Sequence, residues 1–137
     1  MIRRPPWKAV SILLTALLVL LLLLAAYFGS TDGVRAVRVA DGPLRLLASV
    51  TQLLYGLLAL AALIALGFGH RAAGALLVGW VAALAFGNGL SPIAWGREPI
   101  AVGVRSGVIT GTWIGLLLWL RGYCRRRAAR TSESQAA

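Results

Sequence analysis

The stretch GVRSGVITGTWIG, residues 103–115, places a glycine at every fourth position of an apolar run. In water each interior glycine weakens a helix by about 1 kcal/mol relative to alanine, so this run would make a poor soluble helix. In a bilayer the backbone must satisfy its own hydrogen bonds, and a helix is then nearly obligatory. Residues four apart share one helix face, which predicts a groove for a second helix along Gly103, Gly107, Gly111 and Gly115.

The composition of the whole chain agrees with a membrane location. Of its 137 residues, 59% are hydrophobic and 13% are charged, and the mean hydropathy is +0.82. A soluble domain with this composition would expose apolar patches far larger than monomeric proteins tolerate. The length favours a single domain.

Four segments are apolar and long enough to cross a hydrocarbon core of about 30 Å. They are residues 9–28, 44–68, 72–89 and 103–120. The predicted fold is therefore an all-α integral membrane protein, a four-transmembrane-helix bundle that occupies residues 1–127. The polar residues 128–137 are expected to form a disordered cytoplasmic tail.

The first apolar segment has a second interpretation, a cleavable signal peptide, because a short basic stretch precedes it. Signal peptides have apolar regions of about 7–15 residues, and this one is longer, which favours an uncleaved membrane anchor. It shows no small-residue stripe and is expected to face mainly lipid. After it, residues 29–43 read as a polar connection, in which residues 34–39 form either a short strand or an interfacial segment.

The third predicted span carries a small-residue stripe of its own. Ala75, Gly79, Ala83 and Gly87 recur every four residues, as the glycines of the fourth span do. We therefore expect the third and fourth helices to pack closely against each other through the two stripes.

Basic residues predict how the bundle is oriented. With four spans both termini lie on one side, and that side carries the larger share of lysine and arginine, including Arg71 and the cluster Arg125, Arg126 and Arg127. Positive charge favours the cytoplasmic side, so both termini are expected to be cytoplasmic. The preference for arginine over lysine and the abundance of alanine and glycine suggest a bacterial inner membrane.

Residues that support catalysis or metal binding are sparse. The chain has one histidine, His70, and one cysteine, Cys124, and none of the predicted spans contains an acidic residue. Small multidrug exporters depend on a glutamate in the first helix, where this chain offers Thr15 as a polar group and no acidic residue. We expect no enzyme activity, no metal and no cofactor.

The net charge of +10 does not indicate nucleic-acid binding. The arginines flank a membrane span, and no aromatic platform accompanies them. The cluster near Arg125 is expected to attract anionic lipid headgroups, at about 1 kcal/mol for each residue near the surface.

A looser group of polar residues is predicted near the outer ends of the second, third and fourth spans. One interpretation is structural, with amides bonding between helices at about 0.6 kcal/mol per contact. The other is a shallow pocket for a lipid headgroup, a quinone ring or a small anion. Its candidate residues are Gln52, Tyr55, Asn88, Trp95, Arg105 and Thr110.

Two functions follow from these observations. The favoured one is a non-enzymatic accessory or helix-packing subunit, whose partners are membrane lipids and either further copies of itself or a larger membrane protein. The alternative is a small transporter, channel or lipid- or quinone-binding protein that uses the outer polar group.

Overall fold

The computed structural model describes residues 6–136 and consists of four helices. They are α1 (Pro6–Val39), α2 (Pro43–Gly67), α3 (Ala73–Ala94) and α4 (Ile100–Ala136). The described residues contain no strand, and all four helices are long and apolar enough to cross a membrane. This confirms the all-α prediction with four spans. Arg3 and Arg4 of the predicted basic flank, and Ala137 of the tail, lie outside the described residues.

The helices form a ring in which each packs against the next and α4 returns to α1. Residues 40–42, 68–72 and 95–99 are the connections, and such short connections make neighbouring helices antiparallel. The "His70 end" of the ring holds the start of α1, the turn between α2 and α3, and the C-terminal part of α4. The "Trp95 end" holds the end of α1, the start of α2 and the loop between α3 and α4.

Small and large apolar residues alternate in the centre of the bundle. Leu18 and Leu22 of α1 are fully buried with Trp80 of α3, and alanines of α2 fill the space between them. Many other large apolar side chains point outward, such as Leu13 and Trp113, which are 69% and 68% exposed. An outer surface of this kind suits hydrocarbon better than water, which suggests a membrane protein.

The helix α1 continues beyond residue 28, through the segment that the sequence assigned to a polar connection. A methyl group on Gly29 would lie 2.7 Å from the Cα atom of Gly56, and one on Gly33 would lie 2.8 Å from the Cα atom of Leu53. The two glycines thus let α1 touch the backbone of α2, and that packing offsets their poor helix propensity. Residues 34–39 are helical, not a strand, and α1 has a small-residue contact that the sequence reading missed.

Two other helices are also longer than predicted. The helix α3 includes Pro92 and ends at Ala94, and Gly96, with φ of 63°, turns the chain. The helix α4 continues through residues 128–136, where a disordered tail was predicted. Alanine and arginine are strong helix formers, and the Thr131 hydroxyl donates a hydrogen bond to the Arg127 carbonyl at 2.9 Å.

Gly103 and Gly107 of α4 lie against α3, but on a different face of α3 from the predicted one. A methyl group on Gly103 would lie 2.5 Å from the carbonyl oxygen of Gly89, and one on Gly107 would lie 2.6 Å from that of Ala85. The predicted α3 stripe instead faces α2, since a methyl group on Gly87 would meet Thr51 at 3.5 Å. The two stripes therefore do not face each other, because α3 has a neighbour on each side.

The two stripe residues nearest the His70 end, Ala75 and Gly115, are not enclosed by a neighbouring helix. Ala75 is exposed, and a methyl group on Gly115 would have no neighbour within 4 Å. Gly79 meets only the tip of Leu58, at 3.9 Å, and Ala83 is buried in the bundle. A methyl group on Gly111 would lie 3.1 Å from the Cβ atom of Ala85. The close contact of α3 with α4 is thus confined to the half of the bundle near the Trp95 end.

Candidate functional site

The structure divides the predicted polar group into separate places. Gln52 and Trp95 line one cavity at the Trp95 end, which we call the Trp95 cavity. Tyr55 lies deeper, half-buried between glycines, since methyl groups on Gly29 and Gly87 would lie 2.8 and 3.7 Å from its ring. The remaining three predicted residues do not line this cavity.

Asn88 and Thr110 join α3 to α4. The Nδ2 atom of Asn88 donates a hydrogen bond to the Oγ1 atom of Thr110 at 3.3 Å, and the Asn88 side chain is exposed. Asn88 therefore bonds between two helices, as in the structural interpretation that the sequence left open for the amides. Arg105 is exposed on α4 and lines none of the cavities described here.

The Trp95 cavity has a volume of about 480 Å³ and carries both signs of charge. Asp32 and Arg35 reach it from α1, Gln52 from α2, and Ser91 from α3, while Arg97 lies on the loop. Asp32 and Arg35 were not predicted as site residues, because residues 29–43 were expected to form a polar connection between two spans. Helical continuation of α1 brings them one turn apart on the face that meets α2.

Arg45 fixes the geometry beside this cavity. Its Nε atom donates a hydrogen bond to the Ala94 carbonyl at 3.3 Å, and its guanidinium lies 5.0 Å from the centre of the Trp95 ring. It also forms an ion pair with Asp41. The hydrogen bond from Arg45 holds the pKa of the Asp41 carboxyl below its usual value. One face of Trp95 is therefore covered by Arg45, which leaves less of this ring free to contact a ligand.

A larger cavity of about 800 Å³ opens at the opposite end of the ring, and we call it the His70 cavity. Ser11 and Thr15 of α1 face it, together with His70 of the turn and Arg121 and Arg125 of α4. The Nε atom of Arg121 donates a hydrogen bond to the Thr15 hydroxyl at 3.0 Å. This cavity was not predicted from the sequence, because its walls come from distant parts of the chain.

The outer face of the α3–α4 contact is a shallow apolar groove of about 570 Å³. Gly89 and Gly107 form its floor, and Phe86, Val104 and Val108 stand along its sides. No charged residue lines it. We call this feature the α3–α4 groove.

Reactive side chains are isolated within the described part of the chain. Across residues 6–136, no three His, Cys, Asp or Glu side chains lie close enough together to hold a metal ion. The thiol of Cys124 is free and buried. The side chains that line the cavities and the groove offer charges, hydrogen-bonding groups and apolar surface.

No protein-family model, curated protein or solved structure matches this chain.

Proposed function

We propose that the protein is a non-enzymatic membrane protein that holds the headgroup of a lipid-like molecule in its Trp95 cavity. The observation that carries this proposal is the convergence of Asp32, Arg35, Gln52 and Arg97 on one space of about 480 Å³. A headgroup with a phosphate and an ammonium group matches this mixed lining. The arginines suit the phosphate, and the Asp32 carboxylate suits the ammonium.

The proposal includes a place in the cell. The protein resides in a bacterial inner membrane with both termini in the cytoplasm, which is supported by the excess of arginine near the termini. The Trp95 cavity then opens toward the outer leaflet, where a headgroup reaches it from the membrane surface.

The test compares two substitutions in the cavity lining, Gln52→Leu and Arg97→Gln, with the control Asn88→Leu. Gln52→Leu removes an amide from the cavity lining, whereas Asn88→Leu removes an amide that bonds to Thr110 elsewhere. The full chain is reconstituted with phosphatidylethanolamine, extracted in mild detergent, and its bound lipid is measured by native mass spectrometry.

We expect Gln52→Leu to lower lipid retention several-fold and Arg97→Gln to lower it about tenfold, because a charged hydrogen bond is the stronger of the two. Asn88→Leu should retain lipid as the original chain does. Equal losses in Gln52→Leu and Asn88→Leu, or no lipid bound to the original chain, would refute the proposal.

A second function, that of a helix-packing subunit, is favoured by the α3–α4 groove. Its glycine floor allows the close backbone approach on which transmembrane helices depend, and its walls are uncharged. The occupant in this case is a transmembrane helix of a partner protein.

A photo-crosslinking residue at position 108 tests this second function in the native host. Position 13 on α1 is a matched control, because Val108 and Leu13 are 63% and 69% exposed. The helix-packing function predicts one crosslinked protein from position 108 and none in common with position 13. Crosslinks to lipid alone at both positions would contradict it.

A further inference from the structure

We propose that the His70 cavity is a second binding site, which takes a phosphate group through the guanidinium groups of Arg121 and Arg125. This goes beyond the headgroup site proposed above, since it lies at the opposite end of the bundle and differs in charge. The phosphate belongs either to an anionic lipid or to a small soluble phosphate, and both offer the same anionic oxygens.

Arg121 is held in place before any ligand arrives. Its Nε atom donates to the Thr15 hydroxyl at 3.0 Å, and that hydroxyl donates to the Ser11 carbonyl at 2.8 Å. The bond occupies one of the five N–H groups of the guanidinium and leaves the terminal nitrogens, whose paired hydrogens match the oxygens of a phosphate. A pre-positioned arginine loses less side-chain freedom on binding, which favours affinity.

The rest of the lining adds positive charge and hydrogen-bond donors. Arg125 lies one helical turn from Arg121 on the same face of α4. The Ala72 backbone N–H donates to the Nδ1 atom of His70 at 3.1 Å. This leaves Nε2 as the nitrogen of His70 that carries a hydrogen and acts as a donor.

No carboxylate lines the cavity to neutralise the two arginines. The acidic residue of α4, Glu133, is two turns beyond Arg125, or about 12 Å along the helix axis. The described residues Asp32, Asp41 and Glu98 belong to the Trp95 end. Two guanidinium groups without an acid beside them favour the binding of an anion. Together they can donate several hydrogen bonds to the oxygens of a phosphate, which a single ammonium group could not match.

One wall of the cavity is apolar. Ile12, Ala16 and Val19 of α1 and Leu66 of α2 line it. From residue 11 to residue 19 the wall extends about 12 Å along α1. A hydrocarbon chain attached to the phosphate therefore has a surface to follow, as in the basic pockets between membrane helices that bind lipid headgroups.

Aromatic residues place this end of the bundle at a membrane surface. The rings of Trp7 and Tyr123 meet edge to face with centres 6.4 Å apart, and Trp119 stacks on Tyr123 at 5.7 Å. Tryptophan and tyrosine concentrate at the level of lipid headgroups. The two arginines of the cavity thus lie at the depth where phosphates are found.

The first experiment reconstitutes the full chain with phosphatidylglycerol or with a neutral glycolipid that has the same acyl chains and no phosphate. Native mass spectrometry then measures the lipid retained after extraction in mild detergent. Arg121→Gln and Arg125→Gln each remove one charge from the cavity. Arg130→Gln removes the same charge from an exposed position of α4 that lines none of the described cavities.

We expect the original chain to retain phosphatidylglycerol in preference to the glycolipid. Arg121→Gln should lower retention about tenfold, and Arg130→Gln should leave it unchanged, because only the first removes a charged hydrogen bond to the ligand. If Arg121→Gln does not fold, Arg125→Gln gives the same comparison from an exposed position. Equal losses in Arg125→Gln and Arg130→Gln would reduce the effect to general surface charge and overturn the proposal.

A second measurement distinguishes the two sources of phosphate. Inorganic phosphate is added to the delipidated protein, with sodium chloride at equal ionic strength as the reference, and the unfolding temperature is recorded. A phosphate-specific rise that Arg125→Gln abolishes, without retention of phosphatidylglycerol, assigns the site to a soluble phosphate. No response to either probe overturns the proposal. Arg97→Gln alters only the Trp95 cavity at the other end. The proposal for one cavity can therefore be refuted without refuting the proposal for the other.

Discussion

The Nε atom of Arg121 donates a hydrogen bond at 3.0 Å to the Oγ1 atom of Thr15, 106 residues earlier in the chain. It joins α4 to α1 where their contact is the least extensive in the ring. In the first half of α1 only Ser11 and Thr15 carry a hydroxyl, and that of Thr15 also bonds to the Ser11 carbonyl. A single hydroxyl therefore orients the arginine that lines the His70 cavity.

Replacing Thr15 by valine should destabilise the protein by about 1–3 kcal/mol, because the half-buried guanidinium of Arg121 loses its acceptor. Thr15→Ser keeps the hydroxyl and should retain most of the stability. Unfolding of the detergent-solubilised chain by added sodium dodecyl sulfate measures both variants. No loss in Thr15→Val, or a larger loss in Thr15→Ser than in Thr15→Val, would show that the methyl group, and not the hydrogen bond, is what α1 requires here.

The glycines of α4 should differ sharply in their tolerance of alanine. A methyl group on Gly107 would lie 2.6 Å from the Ala85 carbonyl oxygen, whereas one on Gly115 would meet nothing within 4 Å. Gly107→Ala should destabilise the bundle by about 1–3 kcal/mol through overpacking. Gly115→Ala should be neutral or stabilising, since alanine is the better helix former. Unfolding curves of the two variants, measured side by side, test this difference. Equal changes in stability would contradict the α3–α4 contact.

The contact between α1 and α2 gives a similar comparison. A methyl group on Gly56 would lie 2.6 Å from the backbone nitrogen of Ser30, and one on Gly67 would have no neighbour within 4 Å. Gly56→Ala should separate the two helices at a cost of about 1–3 kcal/mol, while Gly67→Ala serves as the control in the same helix. Tolerance of Gly56→Ala would mean that α1 does not touch the backbone of α2.

Arg45→Gln should loosen the Trp95 end. The substitution removes the hydrogen bond to the Ala94 carbonyl, the contact with the Trp95 ring and the ion pair with Asp41. We expect a loss of about 1–2 kcal/mol and increased solvent exposure of Trp95, seen as a red shift of its fluorescence in a background where the other tryptophans are phenylalanine. Arg38→Gln removes a charge from an exposed position nearby and should leave the spectrum unchanged.

Asp41 should make the stability weakly dependent on pH in the acid range. The hydrogen bond from Arg45 lowers the pKa of its carboxyl in the folded protein. A carboxyl with a lowered folded pKa stabilises the protein above its unfolded pKa, and the contribution is lost as the pH falls through the folded value. The effect is small because Asp41 is exposed to solvent. Unfolding temperatures between pH 7 and pH 3 should fall less steeply for Asp41→Asn, and identical slopes would exclude a role for the ion pair.

The sequence predicted the four helices because hydropathy depends on composition within a single segment. It predicted their ends less well, and Gly29 and Gly33 show why. Glycine next to Asp32 reads as a turn signal, yet both glycines lie within α1, where contact with α2 outweighs local propensity. The position at which α1 ends therefore depends on its contact with α2, which the local sequence of α1 does not reveal.

The candidate site was predictable only in part for a similar reason. Gln52 and Trp95 were identified as polar or aromatic residues near a span end, and they line one cavity. Asn88 and Thr110 also lie near span ends, but they join α3 to α4 instead. The depth of a residue in the membrane does not determine which side of its helix it occupies, so this placement could not be predicted. The His70 cavity was missed because Thr15 and Arg121 come together only through closure of the ring.

The α1–α4 contact also has a consequence for how the protein is made. During synthesis α1 enters the membrane first, and its partner residue Arg121 leaves the ribosome 106 residues after Thr15. Until then the side of α1 that faces the His70 cavity meets lipid or a membrane insertion factor, and the cavity has no cationic wall. A nascent chain arrested before α4 therefore lacks the proposed phosphate site, and the acquisition of that site marks completion of the bundle.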